Sequence, residues 1–348
     1  MSKMKIAFFA LALVVLTVLS VQAQPPAPSK ASPYYLAQTF HVGGEGGWDY
    51  ITVDPAHQLL FVPRTTHTMV LSETTGKLVA DIPGQARNHG VALVPSVGRG
   101  FITDGKDASV TIFDLKTYQV LGKVKAEDDA DGIIYDPASG KVLVVCGDAG
   151  VMIPISPDVD PQAGKADAAV KLGGKPEFLA ADGHGKVYVN LVDKNEVAVV
   201  DSKTMKVEAR WPTAPGGAPV GMAIDREHHR LFIGCRNPQK LIVMNAENGK
   251  ILADLPIGAG VDATRFDAYS FASCRDGSLA IARETSPGKF EIVQTVETPK
   301  GARTMDVDPS THTLYLPTAE FETPTDARAR PVMKADSFMI LVVAPTKK

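Results

Sequence analysis

The sequence predicts an all-β protein, a seven-bladed β-propeller of four-stranded antiparallel blades whose ring is closed by the N-terminal strand. Three observations predict this fold. A unit of four short apolar strands recurs along the chain, and tight-turn sequences separate the strands of each unit. The last unit lacks one strand, and a strand-like segment precedes the first unit. Pro and Gly recur too regularly for long helices, which supports the all-β class.

The first strand of most units ends in an acidic turn, often Asp-Pro. Spacings of 40, 42, 46, 43, 49 and 34 residues separate the equivalent positions Asp54, Val94, Asp136, Asp182, Asp225, Cys274 and Asp308. A repeat in the low forties is typical of a four-stranded propeller blade. The unit around Phe271 and Cys274 is the least regular.

The turns and the chain ends complete the prediction. Sequences such as Asn248-Gly249 separate third from fourth strands, and such pairs supply the positive φ that tight hairpins require. The last unit has three strands of its own, so we expect the segment 34–42 to provide its fourth. This pairing would leave the ring without an unpaired edge at its closure. The propeller is therefore predicted to span residues 34–348.

The N-terminal 23 residues have the pattern of a secretory signal peptide. Two lysines precede an apolar run over residues 6–19, and Val-Gln-Ala at 21–23 places small residues where signal peptidase expects them. The Pro/Ser-rich segment 24–33 is predicted to be a flexible leader. We therefore expect a periplasmic or secreted protein with no transmembrane segment after cleavage.

Net charge and cysteine spacing argue against a nucleic-acid partner and against a disulfide framework. The formal net charge is −3, and removal of the two N-terminal lysines would make it −5. This mild acidity argues against a nucleic-acid partner, which usually requires a basic face. The three widely spaced cysteines, Cys146, Cys235 and Cys274, fit neither a disulfide framework nor a paired metal motif, so they are read as small buried hydrophobes. We expect a monomer with no evident cofactor.

Three short motifs carry a resemblance to a known family. They are Phe-Val-Pro at 61–63, Tyr-Val-Asn at 188–190 and Tyr-Leu-Pro-Thr at 315–318. They resemble the second-strand signature of YVTN-repeat propellers, the YncE-like family, and the passage 301–321 is similar to its exported bacterial members. The resemblance covers about the whole mature chain. It implies a propeller fold and a periplasmic or surface location, but no agreed reaction.

The predicted register places charged residues on one face of the ring, around the mouth of the central channel. Loops leading into the first strands carry Trp48, Asp49, His89, Asp131, Glu177, Asp262 and Arg303. Loops between second and third strands carry Arg64, Asp104, Asn190, Arg236, Arg283 and Glu320. Small-molecule sites generally occupy such concave mouths, so these residues form a candidate binding rim.

Three interpretations of this rim remain open. In the first, it binds a small molecule, peptide or partner protein without turnover. An anionic group would accept bidentate hydrogen bonds from Arg64, Arg236, Arg283 and Arg303, with Trp48 as an apolar wall. In the second, a divalent cation assists a lactonase or related hydrolase. Its candidate ligands are Asp49, His89, Asp131, Glu177 and Asp262, an oxygen-rich set suited to calcium, whereas the histidine favours zinc. In the third, the charges are solvated or pair between blades.

Binding without a catalytic centre is the preferred function. The sequence contains no Gly-x-Ser-x-Gly elbow, no His-Glu-x-x-His and no Cys-x-x-Cys-His haem motif. A further alternative, an accessory subunit of a periplasmic redox system, lacks any haem-ligating or quinone-forming pattern. The long segment 318–336, which carries Arg328, Arg330 and Lys334, would lie on the rim face as an ordered lid or as a disordered loop.

Overall fold

The computed structural model describes residues 33–323 and 331–346. The predicted signal peptide and the leader, apart from Pro33, lie outside the described residues. The first fourteen strands are β1 (Tyr34–His41), β2 (Thr52–Asp54), β3 (Leu59–Pro63), β4 (His67–Ser72), β5 (Leu78–Pro83), β6 (Asn88–Val94), β7 (Arg99–Asp104), β8 (Ser109–Asp114), β9 (Val120–Lys125), β10 (Ala130–Asp136), β11 (Lys141–Cys146), β12 (Val151–Ile155), β13 (Val170–Lys171) and β14 (Pro176–Ala181).

The remaining fourteen strands follow the same order. They are β15 (Lys186–Leu191), β16 (Glu196–Asp201), β17 (Lys206–Pro212), β18 (Pro219–Asp225), β19 (Arg230–Arg236), β20 (Gln239–Asn245), β21 (Ile251–Pro256), β22 (Val261–Asp267), β23 (Tyr269–Cys274), β24 (Ser278–Ser286), β25 (Lys289–Glu297), β26 (Asp306–Asp308), β27 (Thr313–Thr318) and β28 (Met339–Pro345). One 3₁₀ turn, Pro95–Val97, interrupts them. Within the described residues, no helix is long and apolar enough to cross a membrane.

The strands form seven antiparallel four-stranded sheets, and the predicted seven-bladed propeller is confirmed. Blades one to six each consist of four consecutive strands, beginning with β2, β6, β10, β14, β18 and β22. The seventh sheet has the order β1-β28-β27-β26, so the N-terminal strand supplies the fourth strand of the last blade. Tyr34 pairs with Pro345, and His41 pairs with Met339, along the whole length of β1. The predicted closure of the ring is therefore confirmed.

The repeated aspartates explain why the first turns form where they do. The carboxylate of Asp136 accepts the backbone N–H groups of Ala138 and Ser139, and that of Asp182 accepts three amides in the same way. Such side-chain turns satisfy backbone donors that would otherwise lack partners. The last turn residue, for example Gly140 at φ 66°, has positive φ. A four-residue Asp turn therefore joins first to second strand in this blade.

Blade six departs from the predicted register. Its first strand is β22, and Phe271 and Cys274 lie in the second strand β23, not in the first as the sequence analysis proposed. The position equivalent to Asp225 and Asp308 is Asp267, and the two irregular spacings become 42 and 41 residues. The error arose because a single residue, Ala268, joins β22 to β23, so the usual Asp turn is missing.

Apolar side chains from facing sheets fill the space between blades. The largest cluster joins blades four to seven and includes Ile233, Phe271 and Leu316, which are almost completely buried. The three cysteines are buried and unpaired, as predicted. Because burial raises each of their pKa values to about 12, they remain protonated thiols.

Candidate functional site

The seven first strands surround the central channel, which contains a cavity of about 390 Å³. Residues from all seven blades line it, from Thr52 of blade one to Asp306 of blade seven. Tyr50 and Phe178 lie in this cavity with their ring centroids 4.6 Å apart. Neither residue was among the predicted rim residues, although each directly follows a candidate carboxylate. Their place next to a predicted rim residue was the one available signal, but an apolar pattern does not distinguish a channel wall from a core.

Seven charged side chains at one end of the channel come from the seven different blades. In blade order, this channel mouth consists of Asp49, His89, Asp131, Glu177, Arg236, Asp262 and Arg303. The geometry therefore groups seven of the thirteen predicted rim residues.

A repeated irregularity of the backbone positions four of these side chains. His89, Asp131, Glu177 and Asp262 are each the second residue of their first strand. In each case the pairing with the second strand shifts register at this point. Such bulges redirect a side chain and are frequent beside functional sites. The equivalent position in blade five is the buried apolar residue Val220, and there Arg236, from the end of β19, supplies the charge.

A chain of ion pairs links six of the seven residues. Asp262 accepts hydrogen bonds from Arg236 and, at 2.6 Å, from Nε of Arg303. Arg303 also reaches Asp49 at 3.3 Å. These contacts connect blades five, six, seven and one, so neither arginine is left without an anionic partner.

His89 continues the chain into blades two and three. Its Nδ1 lies 2.6 Å from Oδ2 of Asp49 and 3.5 Å from Oδ1 of Asp131. Burial alone would lower the pKa of His89, but the hydrogen bond to Asp49 and the charge of Asp131 outweigh it and raise the pKa to about 9. His89 is therefore an imidazolium at neutral pH and is the cation between two carboxylates.

Glu177 and Asp131 are the carboxylates with spare acceptor capacity. Among the described residues, no hydrogen bond or ion pair engages the Glu177 carboxylate, and Oδ1 of Asp131 is buried without a hydrogen-bond partner. Burial and the charge of Asp262 raise the pKa of Glu177 to about 7, and burial raises that of Asp131 well above its usual value. Burial and the four mouth carboxylates likewise raise the pKa of Tyr50. The mouth therefore contains four carboxyl groups, and Glu177 and Asp131 are the two that take up a proton most readily.

The structure places Arg64 in a different role from the predicted anion clamp. Its guanidinium is fully buried and donates hydrogen bonds to four backbone carbonyls of the loop 43–47. It also lies 3.7 Å from the centroid of the Phe338 ring. Gly46 has φ 90°, and a Cβ there would lie 2.3 Å from the Arg64 carbonyl oxygen, so this loop requires glycine to wrap around the arginine. Arg64 therefore holds the loop that carries Trp48 and Asp49.

Three other predicted residues make local contacts away from the ion-pair chain. Asp104 is buried within blade two and accepts from Thr111 at 2.6 Å. Asn190 donates to two carbonyls of β18 and thereby joins blades four and five. Glu320 is bound by Lys334 at 2.9 Å, within the long loop of blade seven.

Trp48 and the long loop cover the blade-seven side of the mouth. The Trp48 ring packs against Phe338 and Phe321, and the Arg303 guanidinium lies 5.9 Å from it. Phe321 forms a bridge with Met333, so the base of the loop is an ordered hairpin. Arg328 and Arg330, which belong to the lid hypothesis, lie outside the described residues.

Arg283 does not lie at the channel mouth, and its predicted position is corrected. Arg283 was predicted in a loop between second and third strands, but it belongs to the third strand β24. The register of β24 places it near the turn to β25, at the opposite end of the blade from the mouth. This error follows directly from the shifted register of blade six.

Comparison with known proteins supports the fold. No protein-family model matches the chain, and no curated protein sequence matches it. Among solved structures, hydrazine synthase of Kuenenia stuttgartiensis is similar, with a TM-score of 0.67 and 13% identity over 79% of this chain and 94% of that chain. At this identity the similarity shows a common fold alone. The chain is thus a seven-bladed β-propeller with a charged channel mouth.

Proposed function

We propose that this chain is an exported, monomeric propeller of the YncE-like, YVTN-repeat type that binds a ligand at the channel mouth without turning it over. One observation carries the proposal: every blade contributes one charged side chain to the channel mouth. The family assignment is supported by the Tyr188 and Tyr315 motifs, which lie on the second strands β15 and β27. The apolar N-terminal segment supports export.

The unused acceptor atoms of the mouth favour a ligand with a positive group. The two arginines of the mouth are paired with Asp262 and Asp49, whereas Glu177 and Asp131 keep free acceptor atoms. An ammonium or guanidinium group of a small molecule or peptide would supply the missing donors. The Tyr50 and Phe178 rings below would contact its apolar part and attract its charge.

Calorimetric titration with butylguanidinium tests this function, with pentanoate as the anionic control. We expect butylguanidinium to bind and pentanoate not to bind. Glu177→Gln should weaken binding about tenfold, since it removes a charge-assisted hydrogen bond. Glu127→Gln, a matched change of an exposed carboxylate beside the mouth, should bind as the wild type does. Preferential binding of pentanoate, or equal binding by both variants, would contradict the proposal.

A metal-assisted lactonase or related hydrolase is the second candidate, and one observation favours it. One ligand atom from each of Asp49, His89 and Asp131 lies within 4.8 Å of the others, a geometry that a divalent cation could bridge. The mixed donor set suits zinc, with calcium as the alternative for the carboxylates. Since Nδ1 of His89 carries a proton at neutral pH, a metal would have to displace that proton. Glu177, with a pKa of about 7, would be the general base.

Elemental analysis of the purified protein distinguishes the two candidates. Stoichiometric zinc or calcium that is lost in Asp131→Asn, but retained in the control Asp128→Asn, would establish the metal centre. A metal-free protein whose stability is unchanged by chelators would eliminate the hydrolase.

A further inference from the structure

Blade six differs from the other blades at the end of the ring away from the channel mouth. Its first turn consists of Ala268 alone, whereas four residues join first to second strands elsewhere. Its third and fourth strands, β24 and β25, have nine residues each, and the other third strands have five to seven. The β22–β23 turn is thus short and the β24–β25 hairpin long. The hairpin therefore extends past the turn and leaves a recess at this end of the blade.

A cavity of about 590 Å³ lies in this recess, between blades five and six. We call it the blade-six cavity. The rings of Phe232 and Phe266 stack in parallel at 5.1 Å, and Phe290 meets Phe232 edge-on at 6.4 Å. All three rings line the cavity, together with Tyr269. The volume falls within the range of small-molecule sites, and the aromatic wall suits a planar apolar group.

Most charges of the lining already have partners. Asp225 binds His228 at 2.8 Å, and Glu284 is paired with Arg230. Glu227 is exposed on the turn of blade five.

Arg283 is the exception among the cations of the lining. It is exposed, it lies 5.9 Å from the Tyr269 ring, and no hydrogen bond or ion pair engages it among the described residues. Its cross-strand neighbour, Glu291, is paired with Lys289. Arg283 and Tyr269 lie on the face of the sheet opposite to the phenylalanines, and they reach the cavity at the end of the blade. An unpaired guanidinium that lines a cavity is a binding group for a carboxylate.

A buried hydroxyl provides a second and independent observation. Ser270 lines the cavity and is fully buried, and its Oγ has no hydrogen-bond partner. Buried polar atoms in native proteins are nearly always satisfied, so this hydroxyl is available to a ligand or a water molecule at the cavity wall.

We propose that the blade-six cavity is a second binding site, for a small aromatic carboxylate. The ligand ring lies against the phenylalanine wall, and its carboxylate accepts hydrogen bonds from Arg283 at the end of the blade. This site is separate from the channel mouth and requires a ligand of the opposite charge.

The test is titration of the full chain with 3-phenylpropionate, monitored by saturation-transfer NMR and calorimetry. Two comparison compounds each lack one feature: 3-cyclohexylpropionate lacks the aromatic ring, and phenethylamine has the opposite charge. We expect 3-phenylpropionate to bind more tightly than 3-cyclohexylpropionate, and we expect phenethylamine, which the channel mouth can bind, not to displace it. Arg283→Gln should weaken binding about tenfold or more, because a charge-assisted hydrogen bond is lost.

Two further variants keep the test independent of folding. Phe266→Leu preserves apolar volume and should reduce the preference for the aromatic over the cyclohexyl compound. Arg275→Gln, an exposed arginine at the other end of the same blade, should leave 3-phenylpropionate binding unchanged. The proposal is overturned if 3-phenylpropionate does not bind at millimolar concentration, if phenethylamine displaces it, or if both arginine variants bind it alike.

Discussion

Replacing Glu177 with glutamine should stabilise the protein at alkaline pH. Burial and the charge of Asp262 raise the pKa of this carboxyl from 4.5 to about 7 in the folded chain. The folded state therefore holds the proton more tightly than the unfolded state does. Stability is highest below the unfolded pKa and falls as the pH rises through 7. The glutamine variant carries no charge to ionise and should escape this loss.

The magnitude follows from the difference in pKa. A tenfold change in proton affinity is worth about 1.4 kcal/mol, so ionisation of Glu177 costs the folded state at most about 3 kcal/mol. Because the side chain is only half-buried, solvent screening reduces this value, and we expect a gain of about 1–2 kcal/mol for Glu177→Gln.

Urea denaturation of the wild type, Glu177→Gln and the control Glu127→Gln at about pH 8 and about pH 4 measures this difference. Near pH 4 the wild type and Glu177→Gln should unfold at the same midpoint, since the carboxyl is then protonated in both states. A difference that does not depend on pH, or a variant that is less stable at pH 8, would show that the buried charge is not destabilising.

Three further predictions concern the ring, the loop and the candidate metal. A chain that begins at Phe40 instead of Pro33 loses most of β1, so its urea midpoint should fall. Light scattering should reveal self-association through the exposed edge of β28. An unchanged midpoint would disprove closure by this strand. Arg64→Met leaves four backbone carbonyls without their donor and should lower the free energy of unfolding by about 3 kcal/mol or more, and a loss below about 1 kcal/mol would contradict its structural role. If zinc binds at the mouth, its affinity should rise about tenfold per pH unit from neutral pH up to about 9, because His89 must release a proton. A chelator competition assay measures this affinity. An affinity independent of pH would exclude His89 as a zinc ligand.

The fold could be predicted because its determinants are local. Aspartate turns and apolar strands repeat with the blade, and the strand 34–41 has a place in the ring because the last unit has only three strands of its own. Blade six was misplaced for an equally local reason. Where Ala268 replaces a four-residue turn, the signal that marks the end of a first strand is absent. The second strand β23 was therefore taken as the first strand of blade six.

The candidate site could be predicted only in part. Position along the repeat placed the seven residues of the channel mouth at one end of the blades, and for four of them the same bulge recurs at the start of the first strand. Position does not reveal what a side chain contacts. Whether Arg64 faces a ligand or the loop 43–47 depends on the path of the glycines there, and this path is a three-dimensional property. The aromatic floor of Tyr50 and Phe178 was missed because an apolar pattern does not distinguish a channel wall from a core.

The contacts at the mouth also bear on the simplest alternative, that its charges only fix the stacking of blades. This explanation suffices for Asp262, because its ion pairs with Arg236 and Arg303 join blades five, six and seven. It does not suffice for Glu177, which has no cationic partner within hydrogen-bonding distance among the described residues and whose ionisation opposes folding. A destabilising carboxylate with free acceptors is expected where a site is adapted to a ligand, since binding then provides the counter-charge that the fold omits. Glu177 is therefore the residue at which the binding and structural interpretations make opposite predictions: ligand binding should stabilise the wild type more than Glu177→Gln, whereas a purely structural mouth would show no such coupling.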